Sequence, residues 1–220
     1  MTHITYCQEQ HSQACLSDHQ NAPTGLKLIE CATRKVVAAP AAARYVALSY
    51  VWGSAPNPLS HSSEPEVRGE TLGSLPRVIE DSIDVTVQLG LQHLWVDRYC
   101  IDQGDSEEKL QQIHQMDLVY ANAELTLVAA AGTGPQFGLP GCNGTPRHSQ
   151  SMAQVRGRLL VSTFPDPSFL LSQSTWATRG WTYQEGILSK RRLVFTEKQV
   201  LFDCNGTNLS EKRAWLCRLN

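Results

Sequence analysis

The chain has 220 residues, 41% of them hydrophobic and 18% charged, with a formal net charge of −2. That balance suits a globular domain with its own core and excludes the basic field of a nucleic-acid binder. No run reaches the ~18–20 apolar residues that span a bilayer, and the start MTHITYCQEQHSQAC lacks a signal-peptide layout, so no membrane partner is expected.

Residues 1–24 are polar and read as an N-terminal leader, with 25–220 as a single domain. LKLIEC (26–31) and KVV (35–37) form short strands around a turn, and RYVALSY (44–50) is the first strong strand. A Pro/Ser/Glu-rich loop follows over 54–74. The stretch 74–91 predicts a helix with Ser74 as its cap, Pro76 in the first turn and Gly90 at its end. Its inward face is Val78 or Ile79, Ile83 and Val87. HLWVD (93–97) is a short buried strand. A second helix spans 106–123, with Leu110, Ile113, Leu118 and Val119 or Tyr120 inward, and ELTLVAAAG (124–132) is the next strand. The loop-rich stretch 133–175 holds one candidate strand, RLLVS. TRGWTYQEGILS (178–189) reads as a short helix, and RRLVFT (191–196) and QVLFDC (199–204) close the chain's pattern of strands. The run Lys190, Arg191, Arg192 reads as a solvated helix end.

Strand–helix–strand–helix–strand from 44 to 130 predicts an α/β fold: a mainly parallel central sheet flanked by helices, with extra short strands at both ends. Such sheets bind ligands beyond the carboxyl ends of their strands. Ser49, Tyr50, Trp52 and Gly53 follow the first such strand, and Asp97, Arg98, Tyr99, Cys100 and Asp102 follow the second. Together they make a candidate small-molecule site.

Other motifs have bland alternatives. Seven cysteines without framework spacing imply free thiols in a reduced, cytoplasmic protein. Cys7, His11, Cys15 and His19 are all metal-ligand types, but on one helix the first and last would lie roughly 18 Å apart, so the four do not make one site. At most an adjacent pair shares a metal with distant residues; structural thiols and no metal centre are the expectation. Cys100 is either a nucleophile served by His93 or His114, or a small buried residue. In RGWTYQEG (179–186), Trp181 and Glu185 share a helix face. Either the ring walls a pocket around a working carboxylate, or the ring packs inward and Glu185 pairs with a neighbouring cation.

The blocks YVALSYVWG (45–53), LPRVIEDSIDVTVQLGLQHLWVDRYCIDQ (75–103), MDLVYANAELTLVAAAG (116–132), GLPG (138–141) and TRGWTYQEGILSKRRLVFTEKQVLFDC (178–204) resemble the fungal heterokaryon-incompatibility (HET) domain. The resemblance implies a cell-death signalling domain distantly related to TIR domains, with a flavodoxin-like sheet. TIR domains that cleave NAD carry W-x-x-x-E after the third strand, and Trp181 and Glu185 occupy that place here. On that basis Glu185 is a candidate catalytic residue, and Asp97 and Ser49 join it as candidates from their positions after the strand ends. Tyr50, Trp52, Gly53, Arg98, Cys100, Asp102, Arg179 and Trp181 are the candidate substrate-binding residues. NAD is the candidate substrate, no other cofactor is implied, and self-association into a homo-oligomer is the candidate partnership. Two further readings stand beside this one: a non-catalytic interaction module, and a free-standing small enzyme of fungal metabolite synthesis.

Overall fold

The computed structural model describes residues 3–15, 22–53, 71–104 and 106–210. Eight strands form one sheet: β1 (Lys27–Glu30), β2 (Lys35–Ala38), β3 (Tyr45–Ser49), β4 (His93–Trp95), β5 (Leu125–Ala129), β8 (Arg191–Phe195), β9 (Val200–Cys204) and β10 (Thr207–Ser210). β6 (Met152–Val155) and β7 (Arg158–Val161) pair separately as a hairpin. Across the large sheet the order is β10-β9-β8-β5-β3-β4-β1-β2.

The three expected strands around 44–50, 93–97 and 124–130 are adjacent and parallel, with β3 between β4 and β5. β8 adds a fourth parallel strand beside β5. The sheet as a whole is mixed rather than mainly parallel, because its outer pairs β1–β2, β1–β4, β8–β9 and β9–β10 are antiparallel. The reason lies in the connections. Short turns join β1 to β2, β8 to β9 and β9 to β10 and can only reverse the chain, whereas the central strands are separated by helical crossovers. β3 and β5 are buried along their whole length, as strands covered on both faces must be.

α1 (His3–Gln10), α2 (Ser12–Cys15), α3 (Arg77–Gln88), α4 (Asp97–Cys100), α5 (Ser106–His114), α6 (Met116–Asn122), α7 (Pro167–Ser172) and α8 (Gly180–Leu188) complete the described elements. α3 starts later than expected. Pro76, not Ser74, stands at its N-cap, without a side-chain cap. Its buried face holds Val78, Ile79 and Ile83 as expected, but Val87 is 53% exposed and Ser82 and Thr86 take the inward positions. They can be buried because each hydroxyl donates to the carbonyl four residues back, Ser82 to Val78 at 2.6 Å and Thr86 to Ser82 at 2.7 Å. The expected helix 106–123 is two helices broken at Gln115, so Leu110 is exposed while Val119 and Tyr120 enter the core. Tyr120 packs edge-on against Trp95, ring centroids 5.4 Å apart.

RLLVS does form a strand, β7, but its partner β6 and the short helix α7 arise in what read as loop. Asp166 caps α7 and Pro167 opens it. Arg191 is not a solvated helix end. It is a buried strand residue whose guanidinium donates to the Glu124 carbonyl at 3.2 Å and pairs with its carboxylate at 3.6 Å. Arg192 pairs with Asp203 across β8 and β9. The described part of the leader, residues 3–15, packs against the core, where Cys7 and Cys15 are fully buried. His19, the loop 54–70 and the chain beyond Ser210 lie outside the described residues. No helix among the described residues is long and apolar enough to cross a membrane.

Candidate functional site

β3 delivers Ser49 to the carboxyl end of the sheet, and α8 brings Glu185 to meet it. The Ser49 hydroxyl donates to Glu185 Oε2 and accepts from the Trp176 indole Nε1 at 2.7 Å. All three residues are buried. Trp176 lies in a single 3₁₀ turn, Trp176–Thr178, which Thr182 locks to α8 by donating to the carbonyls of Trp176 at 2.9 Å and Arg179 at 2.6 Å. The indole packs against α8 at Gly186, where a Cβ would make ordinary contact with the ring at 3.5 Å. At the far end of α8, Ser189 donates to the carbonyl of Glu185 at 2.6 Å and accepts from the Thr126 hydroxyl on β5 at 2.7 Å. The carboxylate is therefore positioned from β3, β5 and α8 together.

Burial raises the pKa of Glu185, opposed by the Ser49 hydrogen bond, the charge of Arg179 and a hydrogen bond from Tyr120. Arg179 is itself anchored, donating to the Tyr50 carbonyl. The Tyr50 hydroxyl is buried without a hydrogen-bond partner, and burial raises its pKa, with the negative charge of Asp97 adding to the rise.

A second cluster sits at the neighbouring strand end. Trp52 Nε1 donates to both Asp97 oxygens, at 2.9 and 3.1 Å, and the Arg98 amide donates to Asp97 Oδ1 at 2.7 Å. The Arg98 guanidinium lies 5.9 Å from the Trp52 ring centre, a cation–π contact. Asp97 keeps some surface exposure, yet protein crowds its carboxyl on nearly every side. Burial pushes its pKa up to about 7, and the charge of Glu185 adds to the rise. The two acids thus feel one another across the same end of the sheet. Gly53, with φ +85°, turns the chain here, and a Cβ on it would meet Pro135 at 3.1 Å.

Two of the candidate binding residues stand apart from these clusters. Cys100 is buried, accepts from the Val96 amide at 3.4 Å, and burial pushes its thiol up to about 12, so it packs as a small core residue. Asp102 accepts from the Gly104 amide at 2.9 Å and lies 3.9 Å from Lys27, organising the loop after α4. Trp181 is 57% exposed and walls a tight, closed crevice with Met116, Tyr120, Gln184 and Glu185. A second crevice, with a volume of about 10 Å³, opens between Leu26, Trp95, Cys100 and Gln112, and its cation Lys27 is paired with Glu108 at 2.7 Å.

Sequence reasoning missed two members of the site. Trp176 fell between the loop-rich stretch 133–175 and the expected helix 178–189, although the short W-x-x-x-x-W spacing to Trp181 could have pointed to it. Tyr120 read as plain core. Its hydroxyl, 3.4 Å from the Leu48 carbonyl and bonded to Glu185, gives it a second role that periodicity cannot reveal.

Residues 45–185 match the family model described as heterokaryon incompatibility protein (HET). Heterokaryon incompatibility protein 6, OR allele, of Neurospora crassa is 33% identical over 94 residues, which cover 38% of this chain and 14% of that protein. The chain thus spans a small part of that relative's length. No solved structure matches. The family match runs over more than half of the sequence and takes in both strand-end clusters as well as Glu185, and the chain belongs to the heterokaryon incompatibility (HET) family.

Proposed function

We propose that this chain is a HET domain of cytoplasmic incompatibility and cell-death signalling, and that its site cleaves the N-glycosidic bond of NAD or a related nucleotide. The observation that carries the reading is the buried Glu185 carboxylate, bonded by Ser49 and Tyr120 at the carboxyl end of β3. The four parallel strands supply further support. In chain order they lie second, first, third, fourth, as in flavodoxin-like sheets, whose ligands bind where the order reverses beside the first strand. That order favours a TIR-like relationship, and Trp181 and Glu185 line one crevice as the W-x-x-x-E reading requires.

In this mechanism Glu185 accepts hydrogen bonds from the hydroxyls of the nicotinamide ribose. Its charge stabilises the cationic character that develops at the anomeric carbon. The carbon–nitrogen bond breaks with its electron pair going to nicotinamide. Water adds to the anomeric carbon and gives its proton to Glu185 or solvent. Ser49 and Tyr120 hold the carboxylate so that little reorganisation is needed, and Trp181 or Trp52 supplies a face for ring stacking.

The test is incubation of the purified chain with NAD and detection of nicotinamide by mass spectrometry. Release that is lost in Glu185→Gln supports the reading, and no release by a folded protein overturns it. A second reading, self-association without chemistry, draws on the hairpin β6–β7, whose Met152, Val155, Leu159 and Leu160 are all exposed. Concentration-dependent dimerisation that fails in Leu159→Glu, with no nicotinamide released, would favour it.

A further inference from the structure

The N-terminal thiols do not sit on one continuous helix. α1 stops at Gln10, His11 links it to α2, and the reversal brings Cys7 and Cys15 together. A straight helix would hold them ~12 Å apart. Cys204, at the end of β9, comes to the same point, and the sulfurs of Cys7, Cys15 and Cys204 all lie within 4.8 Å of one another. All three are buried. His11 Nδ1 lies 3.5 Å from Cys204 Sγ.

We infer that Cys7, Cys15, Cys204 and His11 form a structural zinc site that clamps the N-terminal helices to the closing strands of the sheet. Zinc takes four tetrahedral ligands, with sulfur at ~2.3 Å and nitrogen at ~2.0–2.1 Å. That geometry puts sulfurs on one ion ~3.8 Å apart and a nitrogen ~3.5 Å from a sulfur. The His11–Cys204 distance already meets this, and the sulfurs need to close by no more than ~1 Å from their 4.8 Å limit. The His11 ring lies beyond that limit from at least one of the other two sulfurs and has to turn toward them on binding. Soft thiolates with one imidazole select zinc over hard cations. Thiols shed their protons on binding, and four protein ligands leave no open position, so the site is structural rather than catalytic.

The surroundings are built for this arrangement. Gly206, in the turn after β9, leaves room for the His11 ring, since a Cβ there would lie 2.4 Å from the imidazole Cγ. Tyr6 packs edge-on against the same ring, centroids 5.7 Å apart. The Asn205 side chain donates to the Ala14 carbonyl at 3.2 Å, tying α2 to the turn. The buried Arg191 directs Nε at Cys7 Sγ from 3.3 Å, a cationic donor of the kind that supports a metal-bound thiolate from outside. A pairwise disulfide would leave one of the three sulfurs and the imidazole without a purpose. The helix α1, with the sequence HITYCQEQ, also carries little apolar surface with which to dock by itself.

The test is a cobalt titration of the full chain after chelator stripping under reducing, oxygen-free conditions. The expected result is one equivalent of cobalt bound, with a thiolate-to-metal charge-transfer band and the strong visible bands of a tetrahedral ion, all bleached by zinc. Cys204→Ser should lose the tetrahedral thiolate spectrum, and His11→Ala should keep the charge-transfer band while binding zinc at least ~10-fold more weakly. If Cys204→Ser does not fold, the wild-type titration and His11→Ala decide the matter. A folded wild-type chain that takes up no cobalt, or an unchanged spectrum in Cys204→Ser, overturns the site. So does an affinity left unaltered by His11→Ala, or a disulfide among these three cysteines in freshly isolated protein.

Discussion

The Ser49 hydroxyl stands between two buried groups, accepting the Trp176 indole proton at 2.7 Å and giving its own to Glu185. One oxygen thereby joins the end of β3 to both the 3₁₀ turn and α8. Ser49→Ala leaves a buried indole N–H and a buried carboxylate each short of a partner, at a cost of roughly 1–3 kcal/mol per orphaned group. Thermal melts should register this loss. Trp176→Phe removes the indole donor itself, so the double variant should lose less than the sum of the two single ones. Strict additivity would mean that the three residues are not coupled through that oxygen.

Asp97 makes stability depend on pH in a stated direction. Its folded-state pKa is raised to about 7 by burial, above the ~3.9 of an unfolded chain. The folded state therefore binds the proton more tightly. The contribution is fully present below pH ~4, declines as pH rises, and is lost through about 7. Asp97→Asn keeps an oxygen for the Trp52 and Arg98 donors and removes the charge. The variant should melt higher than wild type at pH 8, with the gain shrinking to nothing near pH 4. A variant that is less stable at pH 8 would show that the ionised carboxylate, not its burial, dominates there.

The GLPG stretch is a structural clasp. Asp81, buried on α3, accepts from the Leu139 amide at 2.7 Å, Asn143 Nδ2 at 3.0 Å and Thr145 Oγ1 at 3.1 Å. Gly138 has φ +84°, and a Cβ there would lie 2.6 Å from both Asp81 Oδ2 and Thr145 Oγ1. Gly138→Ala should therefore cost more than the ~1–2 kcal/mol of left-handed backbone alone. Chemical denaturation measures it. A loss below ~1 kcal/mol would mean the clasp opens without consequence.

The sequence carried the central fold because each element there was locally self-consistent. Apolar runs such as YVALS and LTLVA can only be buried strands once a capped or glycine-stopped helix separates them. The outer strands were harder to orient, since a four-residue strand looks the same in either direction. Glu185 and Ser49 were legible as strand-end and motif residues, but their direct hydrogen bond spans 136 positions and leaves no local trace. Trp176 and Tyr120 were opaque for the same reason. The clustering of Cys7, Cys15 and Cys204 was not legible from spacing, because the break at His11 and the third thiol from β9 depend on tertiary packing.

Glu185→Gln separates the proposed catalytic role of the residue from its part in packing. Burial raises the pKa of the carboxyl in the folded state, so ionising it opposes folding, and that penalty grows as pH rises above the unfolded value. Glutamine is neutral, has the same shape, and can still accept from Ser49. The variant should therefore melt no lower than wild type at pH 8. Nicotinamide release should fall by at least ~10²-fold, the scale for losing an acid–base or charge-stabilising group. The outcome differs if Glu185 is chiefly the partner of Arg179, whose charge lowers its pKa. Breaking a buried ion pair costs up to ~3–5 kcal/mol, so the variant would then melt well below wild type. Melting curves at pH 5 and pH 8, run beside the activity assay, distinguish the two: a folded Gln variant as active as wild type removes Glu185 from the chemistry, and one that is inactive but equally stable keeps it there.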